Sequence, residues 1–291
     1  MLPAFTQVSS ILILLSITLL LLVGCPKERH PFEGAVSLPC APSVATIIAR
    51  GVDDFEQKYT KARINLSRRT CREAVDSLLN NKTEQIVIDR PLTHPESLAF
   101  QQSKKQIFLF RLARSPMAFI VNQSNPIDDL DSLQIAAILT GRFTQWSEVT
   151  GTGKDRPIHL YLPSQGEGVW ELIQVLFKTP AKIVAEVTPS DSVSMRVAND
   201  PDGLGAVTGN VPEMVKPIGI MFDGKKQRPT LRAVYEGRYP WVLPIVYVTC
   251  KEEIDVGTSF LNYISSNEGQ RILANNGVLP AMVPLHVVDT K

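Results

Sequence analysis

Residues 70–91 read TCREAVDSLLNNKTEQIVIDRP, and this stretch contains a complete helix signal followed by a buried strand. Thr70 and Glu73 form a capping box ahead of apolar residues at helical spacing, which predicts a helix that begins there. The run Ile86-Val87-Ile88 predicts a short strand that is apolar on both faces. A helix that leads directly into such a strand is typical of a sheet whose faces are covered by helices.

The same alternation extends upstream of this stretch. Residues 35–38 predict a first strand, and the apolar residues of 44–55 recur at helical spacing, with Ser43 placed to cap that helix. Ile64 and Leu66 alternate as a second strand. The resulting order of strand, helix, strand, helix and strand predicts an α/β fold with an open, mostly parallel sheet.

Length and composition narrow the class of protein. The chain has 291 residues, of which 44% are hydrophobic and 20% charged, so we expect a globular protein with room for two domains. Thirty Lys and Arg residues against 29 Asp and Glu residues argue against a nucleic-acid partner. The sequence shows no C-x-x-C pair, no close pair of His residues and no G-x-S-x-G motif. We therefore predict no metal, no cofactor and no enzymatic activity.

The N-terminus predicts a lipoprotein signal peptide over residues 1–24. These residues carry no charge, and the aliphatic run at 11–23 would cover roughly 20 Å as a helix, which is short of a ~30 Å hydrocarbon core. The sequence Leu22-Val23-Gly24-Cys25 resembles the bacterial lipobox, so Cys25 is the predicted lipidation site. The alternative is a plain transmembrane anchor, in which case Cys25 is incidental.

A lipid-anchored chain of this kind belongs to the bacterial cell envelope. Residues 25–34 then form a polar tether, and Pro26 stands where an Asp commonly retains such proteins at the inner membrane. The predicted location is therefore extracytoplasmic, facing the periplasm or on the outer membrane, with the membrane contacted through the N-terminal lipid.

Five segments in order resemble the phosphate-binding periplasmic (PstS-like) solute-binding proteins of ABC transporters. The most specific is TGRFTQWSEV at 140–149, which is similar to the family's Gly-Lys-x-x-x-Trp-Ser-Glu-Val segment. The others are 118–126, 200–206, 266–270 and 277–280. Together with the ligand loops of lobe 1 described below, they extend over nearly all of the chain beyond residue 35.

The resemblance implies a periplasmic-binding-protein fold of type II, with two α/β lobes and two hinge crossings. Lobe 1 would comprise residues 35–116 and 246–291, and lobe 2 residues 117–245. A small solute would lie between the lobes, where helix N-termini meet the carboxyl ends of strands. The implied partners are this solute and an ABC permease, and the protein is expected to be a monomer.

Carried over onto lobe 1, the family's site falls on Ser43, Cys71, Asp89 and Arg90. Ser43 keeps a hydroxyl for an oxyanion, whereas Cys71 is a much poorer donor than the family's Ser. Asp89 could accept a proton from a protonated oxyanion, and Arg90 could pair with its charge. The alternative is that Asp89 and Arg90 pair with structural neighbours.

The lobe 2 loop departs from the family at residues 163–170, PSQGEGVW. The family's Arg has become Pro163, its Ser has become Glu167 and its Thr has become Val169. A carboxylate about 4 Å from an anion costs ~4 kcal/mol at an effective dielectric constant of 20, or close to a thousandfold in affinity. The remaining predicted ligand contacts of lobe 2 are Ser164, Gln165, Asp191 and Ser192.

Two questions about single residues stay open at this point. The Glu167 carboxylate either fills the anion position itself or turns to solvent as an ordinary acid in the first turn of a helix. Cys40 and Cys71 fall on neighbouring loops of the family's fold, so they form either a disulfide, stabilising by ~3–4 kcal/mol, or two buried thiols.

The sequence therefore predicts a lipid-anchored solute-binding protein for uptake or sensing, whose ligand is a phosphate-like oxyanion or an altered solute. The alternative is a cell-envelope interaction protein that keeps the fold but has lost phosphate binding. A ligand that binds the native state must raise the melting temperature, which separates the two.

Overall fold

A computed structural model describes residues 30–153, 155–178, 183–222, 224–251 and 253–281. The predicted signal peptide and residues 25–29 of the tether, including Cys25, lie outside these residues. Within the described part of the chain, no helix has the length and apolar character needed to cross a membrane.

The described residues alternate between strands and helices, as the sequence predicts. The strands are β1 Gly34–Cys40, β2 Ala62–Arg68, β3 Gln85–Ile88, β4 Phe108–Asn122, β5 Asp129–Asp131, β6 His159–Leu162, β7 Glu186–Val187, β8 Gly203–Thr208, β9 Val215–Pro217, β10 Gly219–Phe222, β11 Lys225–Gln227, β12 Val242–Thr249 and β13 Leu279–Pro280. The helices are α1 Pro42–Lys58, α2 Cys71–Leu79, α3 His94–Gln102, α4 Ser132–Leu139, α5 Trp146–Thr150, α6 Gly168–Phe177, α7 Val193–Ala198, α8 Leu231–Tyr235, α9 Val256–Ser265 and α10 Asn267–Asn275, with a 3-10 turn at Ser190–Ser192.

One sheet connects both halves of the molecule, with strand order β2-β1-β3-β12-β4-β8-β6-β7. Strands β1, β2 and β3 pair in parallel, whereas β12 and β4 are antiparallel to their neighbours. The long strand β4 pairs with β12 through residues 108–116 and with β8 through residues 117–121. Because β4 and β12 both reach the junction of the two halves, they are the two crossing strands of the predicted fold.

Two large hydrophobic cores lie on either side of this junction. Phe55 and Phe260 belong to the first core, and Phe119 and Trp241 belong to the second. Along the chain the cores divide between residues 113 and 117, between 243 and 245, and once more between 278 and 279. We call the two halves lobe 1 and lobe 2. The lobe boundaries from the sequence stay a prediction, and this division falls close to them.

Local signals placed one of the two predicted helix starts correctly and misplaced the other. Thr70 and Glu73 form the reciprocal capping box ahead of α2. The prediction that Ser43 caps α1 is wrong: Ala41 is the N-cap and Pro42 opens the helix, so Ser43 lies inside the first turn. Proline is favoured at this position because it has no backbone N–H to satisfy and its φ is already helical. The Ser43 hydroxyl is thereby left for another partner.

Candidate functional site

The starts of three helices meet at the junction of the lobes. In lobe 1, β1 and β2 end close to the starts of α1 and α2, and Asp89 directly follows β3. Because these strands are parallel, their carboxyl ends lie at one edge of the sheet. The start of α6 faces them from lobe 2. Helix starts carry partial positive charge and free N–H groups, so this point favours a negatively charged group.

The carboxylate of Asp89 occupies this point. Its side chain is 1% exposed, and Ser43 Oγ donates a hydrogen bond to Oδ2 at 2.5 Å. Its other oxygen, Oδ1, accepts from Cys71 Sγ at 2.9 Å and from the Gly168 amide at 3.0 Å. One carboxylate of the chain therefore binds a donor at the start of each of the three helices.

The contact between Asp89 and Gly168 joins the two lobes directly. A Cβ added at Gly168 would lie 2.5 Å from the Asp89 carbonyl oxygen and 2.6 Å from Oδ1, well inside van der Waals distance. Glycine is therefore required for this close approach. An anion at the start of α6 would have to displace the Asp89 carboxylate, which requires the lobes to separate.

Glu167 is the N-cap residue of α6 and is 2% exposed. Its carboxylate accepts hydrogen bonds from the Ser164 amide at 3.3 Å and from the Ser190 hydroxyl. Burial raises the pKa of Glu167 to about 7, although the Ser190 hydrogen bond opposes the shift. The alternative in which Glu167 faces solvent is wrong. That its carboxylate fills the anion position stays a prediction, and the carboxylate at the first amide of α6 is that of Asp89.

Arg90 is committed to structural partners, one of the two alternatives that the sequence left open. Its side chain is 3% exposed and binds both carboxylate oxygens of Glu96, at 2.8 and 2.7 Å. Its Nε also donates to the Gly166 carbonyl in lobe 2 at 3.4 Å. Arg90 thus holds the loop before α6 against lobe 1 and has its charge neutralised by Glu96.

The remaining predicted ligand residues lie around the edge of this site. Asp191 forms an ion pair with Arg68 of lobe 1 at 2.8 Å, and Ser192 Oγ donates to Asp191 Oδ1 at 3.2 Å. The amide of Ser164 binds Glu167, as above. The Gln165 side chain is exposed and forms no hydrogen bond or ion pair with other described residues. The predicted residues therefore lie in one region of the structure, but most of them form hydrogen bonds with each other.

Some contributors were not identified from the sequence. Gly168 supplies the amide that joins the lobes, Arg68 supplies the cation for Asp191, and Ser190 and Glu96 hold the two buried charges. The glycine was visible as the residue that opens an apolar helix, which is one signal for a close approach. The roles of Arg68, Ser190 and Glu96 depend on contacts with residues elsewhere in the chain, and no local sequence pattern indicates them.

Cys40 and Cys71 are separate buried thiols, and no disulfide joins them in the structure. This corrects the bridged alternative. Burial raises the pKa of both thiols, and the nearby charge of Asp89 raises it further. Both cysteines are therefore protonated and inert in the folded protein.

We predict that both thiols react only after unfolding. In denaturant without reductant, iodoacetamide should label Cys40 and Cys71 completely, and in the folded protein it should label them far more slowly than the half-buried Cys250. Peptide mapping by mass spectrometry measures each site. Labelling that requires a reductant would show that the two cysteines are bridged.

The described residues also contain no group of three or more His, Cys, Asp and Glu side chains arranged to hold a metal ion. What the site offers is hydrogen bonding and charge pairing between two lobes. A site of this kind can hold a small polar ligand and close around it.

Comparisons with known proteins agree with this architecture. Residues 31–268 match the family model described as the PBP superfamily domain. The phosphate-binding protein PstS of Staphylococcus aureus strain USA300 is 21% identical over 238 residues, which are 78% of this chain and 73% of PstS.

Solved structures show the same fold. A phosphate ABC transporter substrate-binding protein from Clostridium perfringens, with bound phosphate, superimposes with a TM-score of 0.77 at 23% identity, covering 86% of this chain and 100% of the other. An ABC-type phosphate transport receptor from Vibrio cholerae gives a TM-score of 0.67 at 20% identity, with coverage of 84% and 99%. The chain therefore belongs to the PBP superfamily, and it is similar to phosphate-binding proteins, including PstS.

Proposed function

We propose that this chain is the lipid-anchored substrate-binding component of an ABC transporter, and that its cleft takes a small polar solute with less negative charge than phosphate. The first part rests on the relatives, which are binding proteins of ABC transporters by name. The anchor rests on the lipobox-like sequence that ends at Cys25. The second part rests on the chemistry of the cleft.

The observation that carries the proposal is the hydrogen bonding of Asp89. Its carboxylate uses the Ser43, Cys71 and Gly168 donors that an oxyanion would need. A ligand at this point must compete with a carboxylate that is held covalently in place, and such a carboxylate has a large advantage in effective concentration. Arg90 offers phosphate no uncompensated positive charge, because the buried guanidinium is already neutralised by Glu96.

The charge around the cleft also favours a solute with less negative charge than phosphate. Asp89, Glu167 and Asp191 place three carboxylates within the same region, and the cation nearest to Asp191 is bound to it at 2.8 Å. Each uncompensated carboxylate raises the energy of a second anion nearby by several kcal/mol at an effective dielectric constant of about 20. A neutral or weakly charged solute avoids this repulsion.

The test is ligand-induced thermal stabilisation of the purified chain in detergent. Neutral sugars, amino acids and inorganic phosphate are added separately near pH 8, where phosphate is largely a dianion. We expect at least one uncharged or zwitterionic probe to raise the melting temperature by roughly 5–10 °C at about a hundred times its Kd. Phosphate should have little effect. Stabilisation by micromolar phosphate would overturn the charge argument.

A second candidate function is an envelope interaction protein that keeps the fold without a transport ligand. The contact between Asp89 and Gly168 favours it, because this contact lets the lobes close on each other without a solute between them. Under this alternative no probe in the panel changes the melting temperature, since nothing binds the native state selectively.

A further inference from the structure

A cavity of about 360 Å³ lies between the lobes and is lined by Ser43, whose hydroxyl group donates to Asp89. Lobe 1 contributes the first turns of α1 and the end of α10, and lobe 2 contributes the 3-10 turn, α7 and the end of β8. Its volume is at the lower end of the range for small-molecule sites. If the chain binds a solute, as proposed above, this cavity identifies the chemical class of that solute.

Three hydroxyl groups in the wall have already donated their protons. Ser43 donates to Asp89, Ser190 donates to Glu167, and Thr208 donates to the hydroxyl oxygen of Ser115 at 2.7 Å. A hydroxyl group has a single proton, so these oxygens can offer only lone pairs to the cavity. They accept hydrogen bonds from a ligand and repel the oxygens of an anion.

Four further polar side chains in the wall have unused hydrogen-bonding capacity. Thr46 and Asn275 in lobe 1, and Ser194 and Asn210 in lobe 2, form no side-chain hydrogen bond with the described residues. Each can both donate and accept. A ligand that bonds to members of both pairs would hold the lobes together, which is how closure is coupled to binding in hinged proteins.

The wall of the cavity carries no net charge, so it neither attracts an anion nor requires a cation. Among the described lining residues, Asp191 is the single charged side chain, and Arg68 neutralises it at 2.8 Å. Apolar lining residues, including Ile47 and Val169, provide surface for C–H groups. A compact ligand that carries both O–H and C–H groups fits this wall. Its O–H groups can bond to the hydroxyl oxygens and side-chain amides, and its C–H groups can contact the apolar side chains.

We propose that the cavity binds an uncharged polyhydroxylated solute about the size of a monosaccharide. The ligand's O–H groups donate to Ser43, Ser190 and Thr208. The side chains of Ser194 and Asn275 bond to further hydroxyl groups from opposite lobes. The donors at Asp89 are not needed by such a ligand and stay with the carboxylate.

The test uses the purified full chain with glucose, galactose and myo-inositol as probes, and with putrescine, glutamine and inorganic phosphate for comparison. We expect at least one of the three polyols to raise the melting temperature and to give a measurable heat of binding. Asn275→Ala and Ser194→Ala should each weaken that binding roughly 2- to 10-fold, the worth of one neutral hydrogen bond. Neither substitution should change the melting temperature of the unliganded chain, since neither side chain bonds to the protein.

Asn267→Ala is the matched control. Asn267 lies at the opposite end of α10, is exposed like Asn275, and likewise makes no side-chain hydrogen bond with the described residues. It should leave the affinity unchanged. Equal effects of Asn267→Ala and Asn275→Ala would overturn the proposed site.

The comparison probes separate this inference from the proposed function. Binding of putrescine or glutamine without any polyol would overturn the polyol assignment and leave the solute-binding function standing. Binding of phosphate alone would overturn both. If none of the six probes binds, the polyol assignment is overturned and the envelope interaction protein is favoured.

Discussion

Asp89→Ala is expected to lower the free energy of unfolding by about 3 kcal/mol. The substitution removes the acceptor of three hydrogen bonds, and a buried donor left without a partner costs about 1–3 kcal/mol. The expected loss of stability is less than three times this cost, because separation of the lobes would let water bond to the donors of Ser43 and Gly168. In denaturant unfolding the midpoint should fall, and the melting temperature should drop by roughly 6–12 °C.

Asp191→Ala is the matched control for this prediction. Asp191 is also a carboxylate in contact with the opposite lobe, but its ion pair with Arg68 is largely exposed, and such pairs contribute about 0–1 kcal/mol. The two substitutions should therefore differ by about 2 kcal/mol or more. If Asp89→Ala cost no more than Asp191→Ala, the Asp89 carboxylate would not be what holds the three helix starts together.

Glu167→Gln is expected to stabilise the protein at high pH and to have little effect at low pH. In the folded protein the pKa of Glu167 is raised from 4.5 to about 7, mainly by burial. The folded state therefore binds this proton more tightly than the unfolded state does, and the associated stability is lost as the pH rises from about 4.5 to about 7. Ionised Glu167 then costs about 3 kcal/mol, which the neutral Gln avoids.

Denaturant unfolding of both proteins from about pH 4 to about pH 9 measures the difference in the free energy of unfolding. The difference in the free energy of unfolding should be near zero at about pH 4. It should rise in favour of Glu167→Gln as the pH increases and reach a constant value above about pH 7. Glu148→Gln should show the opposite sign, because the Thr144 and Gln145 amides lower the pKa of the exposed Glu148 carboxylate. A flat difference for Glu167→Gln would mean that its carboxylate is solvated.

Much of the fold could be predicted from short-range patterns. The capping box at Thr70 and Glu73 and the apolar run at 86–88 place α2 and β3 within about one residue of their observed bounds. The start of α1 was misplaced because Pro42, rather than the hydroxyl of Ser43, determines where that helix begins. These signals work because caps and periodic apolar residues act within one turn or one strand.

The site was predicted as a set of residues but not as a set of contacts. Asp89 and Glu167 were both identified as acidic residues at the cleft, yet their roles depend on which carboxylate reaches Gly168, 79 positions along the chain from Asp89. The Ser190 contact, which keeps Glu167 away from that amide, joins two separate segments of lobe 2. Sequence spacing carries no information about such distances, so only the folded chain distinguishes the two carboxylates.

The most direct test of the central claim is a crystal structure of the chain grown with millimolar inorganic phosphate near pH 8. The claim is that the chain's own carboxylate occupies the position where an anion would bind. We expect Asp89 Oδ1 to lie within hydrogen-bonding distance of the Gly168 amide, with no phosphate between the starts of α1, α2 and α6. A phosphate bonded to Gly168 and Ser43, with Asp89 displaced, would contradict the claim.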